Sequence, residues 1–238
     1  MTRRYWYVIL TYIVMQFSVI IAVPLIHALT PFSKINISIY WTIFSFIVGL
    51  VVTLLLMKPA MQASQDRNTT DWGTTIAWIV AGIVLAYISQ YIATLIEMNV
   101  FGITVDSKNT DQIITISRSY PLFVIIPALI APILEEIIFR KIIFGWFYKR
   151  MNFFFAALLS ALIFAIIHQE PEHILVYASM GFVFAFVYVK TKRIIAPILI
   201  HMTLNTVSVM IQLLFSPEEL EKMMEQVDKA QMILIGMH

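Results

Sequence analysis

The chain has 238 residues, is 60% hydrophobic and only 13% charged, and has a mean hydropathy of +0.85. So few charges over this length do not suit a soluble domain; they fit a polytopic membrane protein, an all-α bundle of transmembrane helices. The net charge of +2 gives no basis for nucleic-acid binding, and the absence of cysteine excludes disulfides, cysteine-bound zinc and a thiol nucleophile.

Seven apolar runs reach or approach the length that crosses a bilayer: residues 5–29, 37–57, 74–98, 120–147, 153–168, 174–189 and 194–215. The first follows Arg3 and Arg4, is longer than a signal-peptide core and lacks a small-residue cleavage pattern, so it reads as a retained helix. The fifth and sixth are short. The fourth either continues to Phe147 or leaves the membrane near Arg140 and runs along the interface with Trp146, Phe147 and Tyr148. Connections alternate in charge. Arg3, Arg4, Lys58, Arg67, Lys141, Lys149, Arg150, Lys190, Lys192 and Arg193 fall on one side, and Lys34, Lys108 and Arg118 fall on the other with Glu170 and Glu172. The positive-inside rule then puts the N-terminus in the cytoplasm and the C-terminus outside. Beyond the last run, Ser216-Pro217-Glu218-Glu219 has the form of a helix start, and Leu220, Met223, Met224 and Val227 form an apolar stripe. Residues 216–235 therefore read as an amphipathic helix lying against the bundle or bilayer. No repeat or linker divides the chain, so 1–238 reads as a single membrane domain.

Polar residues inside the runs narrow the chemistry. Asp occurs only at 66, 71, 106, 111 and 228, all in connections or the tail, so an embedded aspartyl pair is excluded. No Gly-x-Ser and no His-Glu-x-x-His occurs; the stretch from His168 to His173 has the wrong histidine spacing and is interrupted by Pro171. What remains inside is Glu135, Glu136, Arg140, His168, His201 and Asn205. Glu136 and Arg140 are four apart and stack on a helix. Glu135 points about 100° away and has no partner on its own helix. A charge in a membrane span needs a partner or a task. Glu136 has a partner in Arg140, whereas Glu135 is available as a general base. The plainer reading is a Glu–Arg bridge that locks two helices. Pro121, Pro127 and Pro132 precede the pair and free carbonyls, which suits either a cavity or simple kinks.

Phe164 and His168 repeat the four-residue spacing beside the small strip Ala157, Ala161 and Ala165, which lets another helix approach and turns His168 inward, as a packing residue or a functional one. His201 and Asn205 share a face one turn after Pro197 and call for a shared polar partner, or for interhelical hydrogen bonds. His27 and His173 lack such company and read as non-catalytic. At 1.5 Å per residue, Glu135 and His168 lie about 20–24 Å from the cytoplasmic end and His201 about 10–12 Å, so a tilted or broken helix must bring them together. Three helices would then offer a base, a salt-bridged helper, two imidazoles and an amide, the parts that activate water and stabilise an oxyanion.

In order, Glu135-Glu136-x-x-x-Arg140, Phe164-x-x-x-His168 and His201-x-x-x-Asn205 resemble the three motifs of the CPBP family, which comprises the CAAX prenyl proteases and the bacteriocin-processing or Abi proteins. The approach from Thr191 to His201 also looks like the entry to the third motif. The resemblance covers a core of about residues 120–208. It implies a metal-independent intramembrane glutamate endopeptidase with no cofactor. Glu135 and His168 would activate water, Glu136 and Arg140 would support the first glutamate and the substrate, and His201 and Asn205 would form the oxyanion site. The short chain looks like the bacterial Abi branch. That implies a multi-pass plasma-membrane protein, a membrane-associated peptide or protein substrate in the lipid bilayer, and roles in peptide maturation or bacteriocin self-immunity. One departure stands out: where the family often has Gly after the Thr that closes the sixth run, this chain has Lys192. Two other readings remain: a zinc protease with Glu135, His168 and His201 as ligands, and a non-proteolytic scaffold or immunity protein.

Overall fold

The computed structural model describes residues 1–65 and 69–215, with the single positions 219 and 222. The expected amphipathic helix at 216–235 therefore lies outside the described residues. The described chain is helical, without a strand. In order the helices are α1 (Arg3–Leu29), α2 (Lys34–Gln65), α3 (Trp72–Phe101), α4 (Lys108–Ser119), α5 (Pro121–Phe147), α6 (Phe153–Ile166), α7 (Ile174–Thr191) and α8 (Ile195–Leu214). A 3-10 turn, Pro171–His173, leads into α7.

Six helices are long and apolar enough to cross a membrane, α7 counting with its leading turn. The seventh apolar helix, α6, has 14 residues, which is about 21 Å of helix against roughly 30 Å of hydrocarbon. On α1 to α3, Phe17, Ile21, Leu55 and Tyr91 point outward and remain exposed. Such surfaces have no place in water and are those of helices solvated by lipid.

α4 is absent from the sequence-based elements. Ser107 caps it, accepting the Thr110 N–H at 3.1 Å, and Pro121 stops it one residue past its C-cap, Tyr120. Its twelve residues bury only Ile114 and Ser117, so no search for long apolar runs finds it.

α5 is continuous to Phe147, as the first of the two expected courses has it, and Arg140 is fully buried within it. The rod is irregular. A 3-10 turn opens it, and the stretches Ile126–Ile130 and Ile137–Phe144 are π-helical. The prolines explain the first irregularity. Ala131 N–H reaches back five residues to Ile126 O, and the next donor in that register would be Pro132, which has no N–H. The Pro127 carbonyl is left without a backbone donor, and the Asn205 side-chain amide supplies one at 3.0 Å. In the second stretch Ser160 donates to Phe139 O at 2.7 Å. Neighbouring helices thus satisfy the carbonyls that the irregular backbone frees.

Small residues set the packing around α5. α6 buries Ala156, Ala157, Ala161 and Ala165. A Cβ on Gly181 of α7 would meet Ala161 Cβ at 3.0 Å and Arg140 Nη2 at 3.4 Å, so glycine there lets α6 and α7 close around the guanidinium.

Contacts between connections agree with the charge alternation. At one end Lys108 lies 3.7 Å from Glu172, Arg118 donates to Gln212 O at 2.9 Å, and Tyr120 OH donates to Asn36. At the other, Arg193 donates to Thr70 O at 2.9 Å and its guanidinium covers the Trp72 ring at 4.4 Å. Lys192 caps α7 with φ 55°, in the left-handed region that favours glycine, and its N–H closes the turn on Tyr188 O at 2.8 Å. This is the physical reason for glycine at that position. Lys192→Gly is therefore expected to stabilise the protein by about 1 kcal/mol, read as a higher unfolding temperature in micelles.

Candidate active site

The two adjacent glutamates occupy unlike surroundings. Glu136 points into the bundle with no exposure. Its Oε2 lies 3.1 Å from Arg140 Nε and its Oε1 lies 3.0 Å from His201 Nδ1. The Arg140 contact is an ion pair by distance but is not aligned as a hydrogen bond, and both terminal guanidinium nitrogens are buried without a hydrogen-bond partner. Their company is aromatic: the guanidinium lies 4.5 Å from the Phe164 ring centroid and 5.1 Å from that of Phe184.

Glu135 keeps 13% of its side chain exposed and lines a cavity of about 670 Å³ that His168 and Asn205 also line. Its Oε2 is 3.7 Å from His201 Nε2. His201 thus stands between the two carboxylates with one nitrogen toward each, its ring stacked on Phe184 at 5.0 Å.

His168 lies just beyond α6, where Gln169 turns the chain with φ 58°. Its Nδ1 is 2.8 Å from Phe164 O. A carbonyl only accepts, so Nδ1 carries the proton and the neutral ring keeps a lone pair at Nε2. The ring stacks on Tyr177 at 4.1 Å and 23°.

The six polar residues expected from the sequence therefore divide in two. Glu135, His168 and Asn205 open on the cavity; Glu136, Arg140 and His201 form the sealed cluster behind it. His201 and Asn205 share a helix face but not a partner: one takes the glutamates, the other the Pro127 carbonyl. His201 and Glu135, expected at different depths, lie 3.7 Å apart beside the irregular, π-turned α5. Among the described residues no three His, Asp or Glu side chains converge as a metal-holding set.

Sequence reasoning missed a second buried polar group. Glu97 of α3 is 2% exposed. Its Oε1 accepts the Leu175 and Val176 N–H groups at 3.1 and 3.2 Å, at the start of α7, and its Oε2 lies 3.0 Å from His173 Nδ1. His173 Nε2 donates to Asp106 O at 3.1 Å. A carboxylate one residue from the end of an apolar run reads as interfacial, and nothing local signals its partner. Glu170 is also buried and accepts from Ser107, the Asn109 N–H and Tyr177 OH. Burial works against its ionised form, but these hydrogen bonds outweigh it and hold the carboxyl below its usual range. Tyr12 and Gln16 of α1 and Phe46 of α2 also line the cavity.

An all-helical membrane bundle that encloses paired glutamates, a buried arginine and two histidines beside a cavity has the architecture of a membrane protease. Comparison with known proteins gives the family. Residues 117–207 match the family model for type II CAAX prenyl endopeptidase, Rce1-like. The chain is 42% identical over 244 residues to the protein named membrane peptidase YdiL of Bacillus subtilis, covering 99% of this chain and 98% of that one. It is 34% identical over 183 residues to the membrane-embedded CAAX protease MroQ of Staphylococcus aureus, covering 74% and 73%. It is 25% identical over 164 residues to the UPF0177 protein YxdF of Lactococcus lactis, covering 65% and 88%. No solved structure matches. The chain belongs to the Rce1-like CAAX protease family and is a multi-pass membrane protease.

Proposed function

We propose that the chain is an endopeptidase that cleaves a membrane-associated peptide or protein with water activated by a glutamate, without a metal. The observation that carries this reading is the unequal setting of two adjacent carboxylates. Glu135 opens on the cavity, whereas Glu136 is held between Arg140 and His201. A carboxylate in contact with cavity water can take its proton; one locked to a guanidinium and an imidazole has no water to reach.

In this mechanism a water in the cavity hydrogen-bonds to Glu135 and to His168 Nε2. Glu135 takes a proton as the water oxygen adds to the scissile carbonyl carbon, and the carbonyl electrons move onto its oxygen. A donor from Asn205, which lines the cavity, stabilises that oxyanion, while His201, expected from the sequence to share this task, turns its two ring nitrogens to the glutamates instead. One Asn205 N–H is engaged by Pro127 O, which orients the amide and leaves its second N–H available. Collapse re-forms the carbonyl, breaks the C–N bond and returns the proton from Glu135 to the leaving amine. Glu136 and Arg140 act from behind, holding His201 and the charge of the cluster in place.

Peptide profiling tests the reading: secreted and membrane peptides are compared between cells carrying the wild-type chain and cells carrying Glu135→Ala. Products present only with the wild type are expected; an unchanged profile overturns the assignment. The biological settings that the family likeness supports are maturation of a small peptide and self-immunity to a bacteriocin.

The proposed location is the bacterial plasma membrane with the N-terminus in the cytoplasm, supported by the basic connections. The cavity is lined in part by Lys108, Glu170 and Glu172, which belong to the opposite end, so the cavity lies toward the outer side in this arrangement. The chain lacks cysteine, and each introduced thiol is therefore its only one. Lys108→Cys on intact cells is expected to react with a membrane-impermeant maleimide, and Lys149→Cys only after permeabilisation; the reverse pattern inverts the topology.

A further inference from the structure

We propose that Tyr177 and Glu170 are positioning residues for His168, fixing the imidazole to the same carboxylate that fixes the cavity wall. This rests on the reading of His168 as the residue that binds the hydrolytic water. His168 lies past the last residue of α6, and among the described residues the hydrogen bond from Nδ1 to Phe164 O is its one side-chain polar anchor. The Phe164 ring meets the imidazole edge-on at 4.6 Å from the same helix. The stack on Tyr177 at 4.1 Å holds the face of the ring from α7.

Tyr177 is itself held, since its phenol donates to Glu170 at 2.6 Å. Glu170 is 5% exposed, and its oxygens also accept from Ser107 Oγ at 2.9 and 3.2 Å and from the Asn109 N–H at 2.8 Å. Ser107 caps α4, and Lys108, Asn109 and Gln112 of α4 line the cavity. One buried carboxylate therefore ties three things together: the entry to α7, the N-terminus of α4 and, through Tyr177, the face of His168. A substrate that displaces α4 from Glu170 loosens the imidazole as well, so the wall and the water-binding ring are set as a unit.

The test uses the full chain in detergent micelles, labelled with nitrogen-15 in histidine, as wild type, Tyr177→Phe, Tyr177→Leu and Glu170→Gln, with His168→Gln to assign the His168 resonances. Tyr177→Leu is expected to remove the ring-current shift of the His168 ring protons, and Tyr177→Phe to retain it. Peptide profiling of the same variants is expected to give product levels about 10–100-fold lower for Tyr177→Leu, and smaller losses for Tyr177→Phe, which keeps the stack but not the phenol that Glu170 holds, and for Glu170→Gln, whose amide oxygen still accepts the phenol. Unchanged His168 resonances in Tyr177→Leu overturn the proposal, as does wild-type product formation by Tyr177→Leu where His168→Gln forms none. Full processing by His168→Gln is a different failure: it removes the catalytic reading of His168, while the resonances still decide whether Tyr177 positions its ring.

Discussion

Glu135→Gln is expected to lower peptide cleavage by about 10²–10⁴-fold, the range for loss of a general base, with the protein still folded in the membrane. The substitution keeps the size of the side chain and its place on the cavity but removes the group that takes the proton. Little structural cost is expected, because the Glu135 carboxylate accepts no hydrogen bond among the described residues and His201 Nε2 stands 3.7 Å away. The measurement is product formation by purified protein in micelles, beside an unfolding curve for the same sample. Full cleavage by Glu135→Gln would sink the mechanism, whereas no product even from the wild type would favour the scaffold reading, in which the motif residues only join helices. Repeating the wild-type assay in a strong chelator separates water activated by Glu135 from metal-activated water, since cleavage through a bound metal would be lost there.

Arg140→Met is expected to have the largest effect on stability, about 3–5 kcal/mol, the cost of leaving a buried charge without its partner. Glu136 has no exposure, and its Oε2 meets the Arg140 Nε at 3.1 Å. Once the guanidinium is gone, a buried carboxylate is left facing only His201, with Glu135 next to it in sequence. The double variant Glu136→Gln with Arg140→Met removes both charges and is expected to recover most of the loss, because two neutral side chains of similar length carry no unpaired charge into the bundle. Thermal unfolding of the two variants in micelles measures this. Equal destabilisation of single and double variants would mean that Arg140 acts through packing on Phe164 and Phe184 rather than through its charge.

The spacing of Glu136 and Arg140 was legible because residues four apart on a helix are neighbours whatever surrounds them. The membrane helices were legible for a similarly local reason: about 20 apolar residues in a row have no other stable place. Lys192 was visible only as a departure from a likeness, and its positive φ supplies the reason for the glycine it replaces. α4 escaped because an amphipathic helix of twelve residues has no strong apolar signature. Glu97, Glu170 and Tyr177 escaped because each is defined by partners far away in sequence: Glu97 by His173, Glu170 by Ser107, and Tyr177 by the ring of His168.

By itself the sequence determined a helical membrane protein with six intramembrane polar residues on three faces, and it predicted unlike surroundings for Glu135 and Glu136. Those features depend on helix periodicity and on the cost of charge in hydrocarbon, which act over a few residues. Only the tertiary structure decided that His201 serves both glutamates, that Asn205 answers the carbonyl that Pro132 leaves open, and that His168 shares a cavity with Glu135. Each of these depends on how far one helix slides and turns against another. That is set by the small residues between α6 and α7 and by the π turns of α5, where hydrogen bonds skipped at a proline shift every side chain that follows.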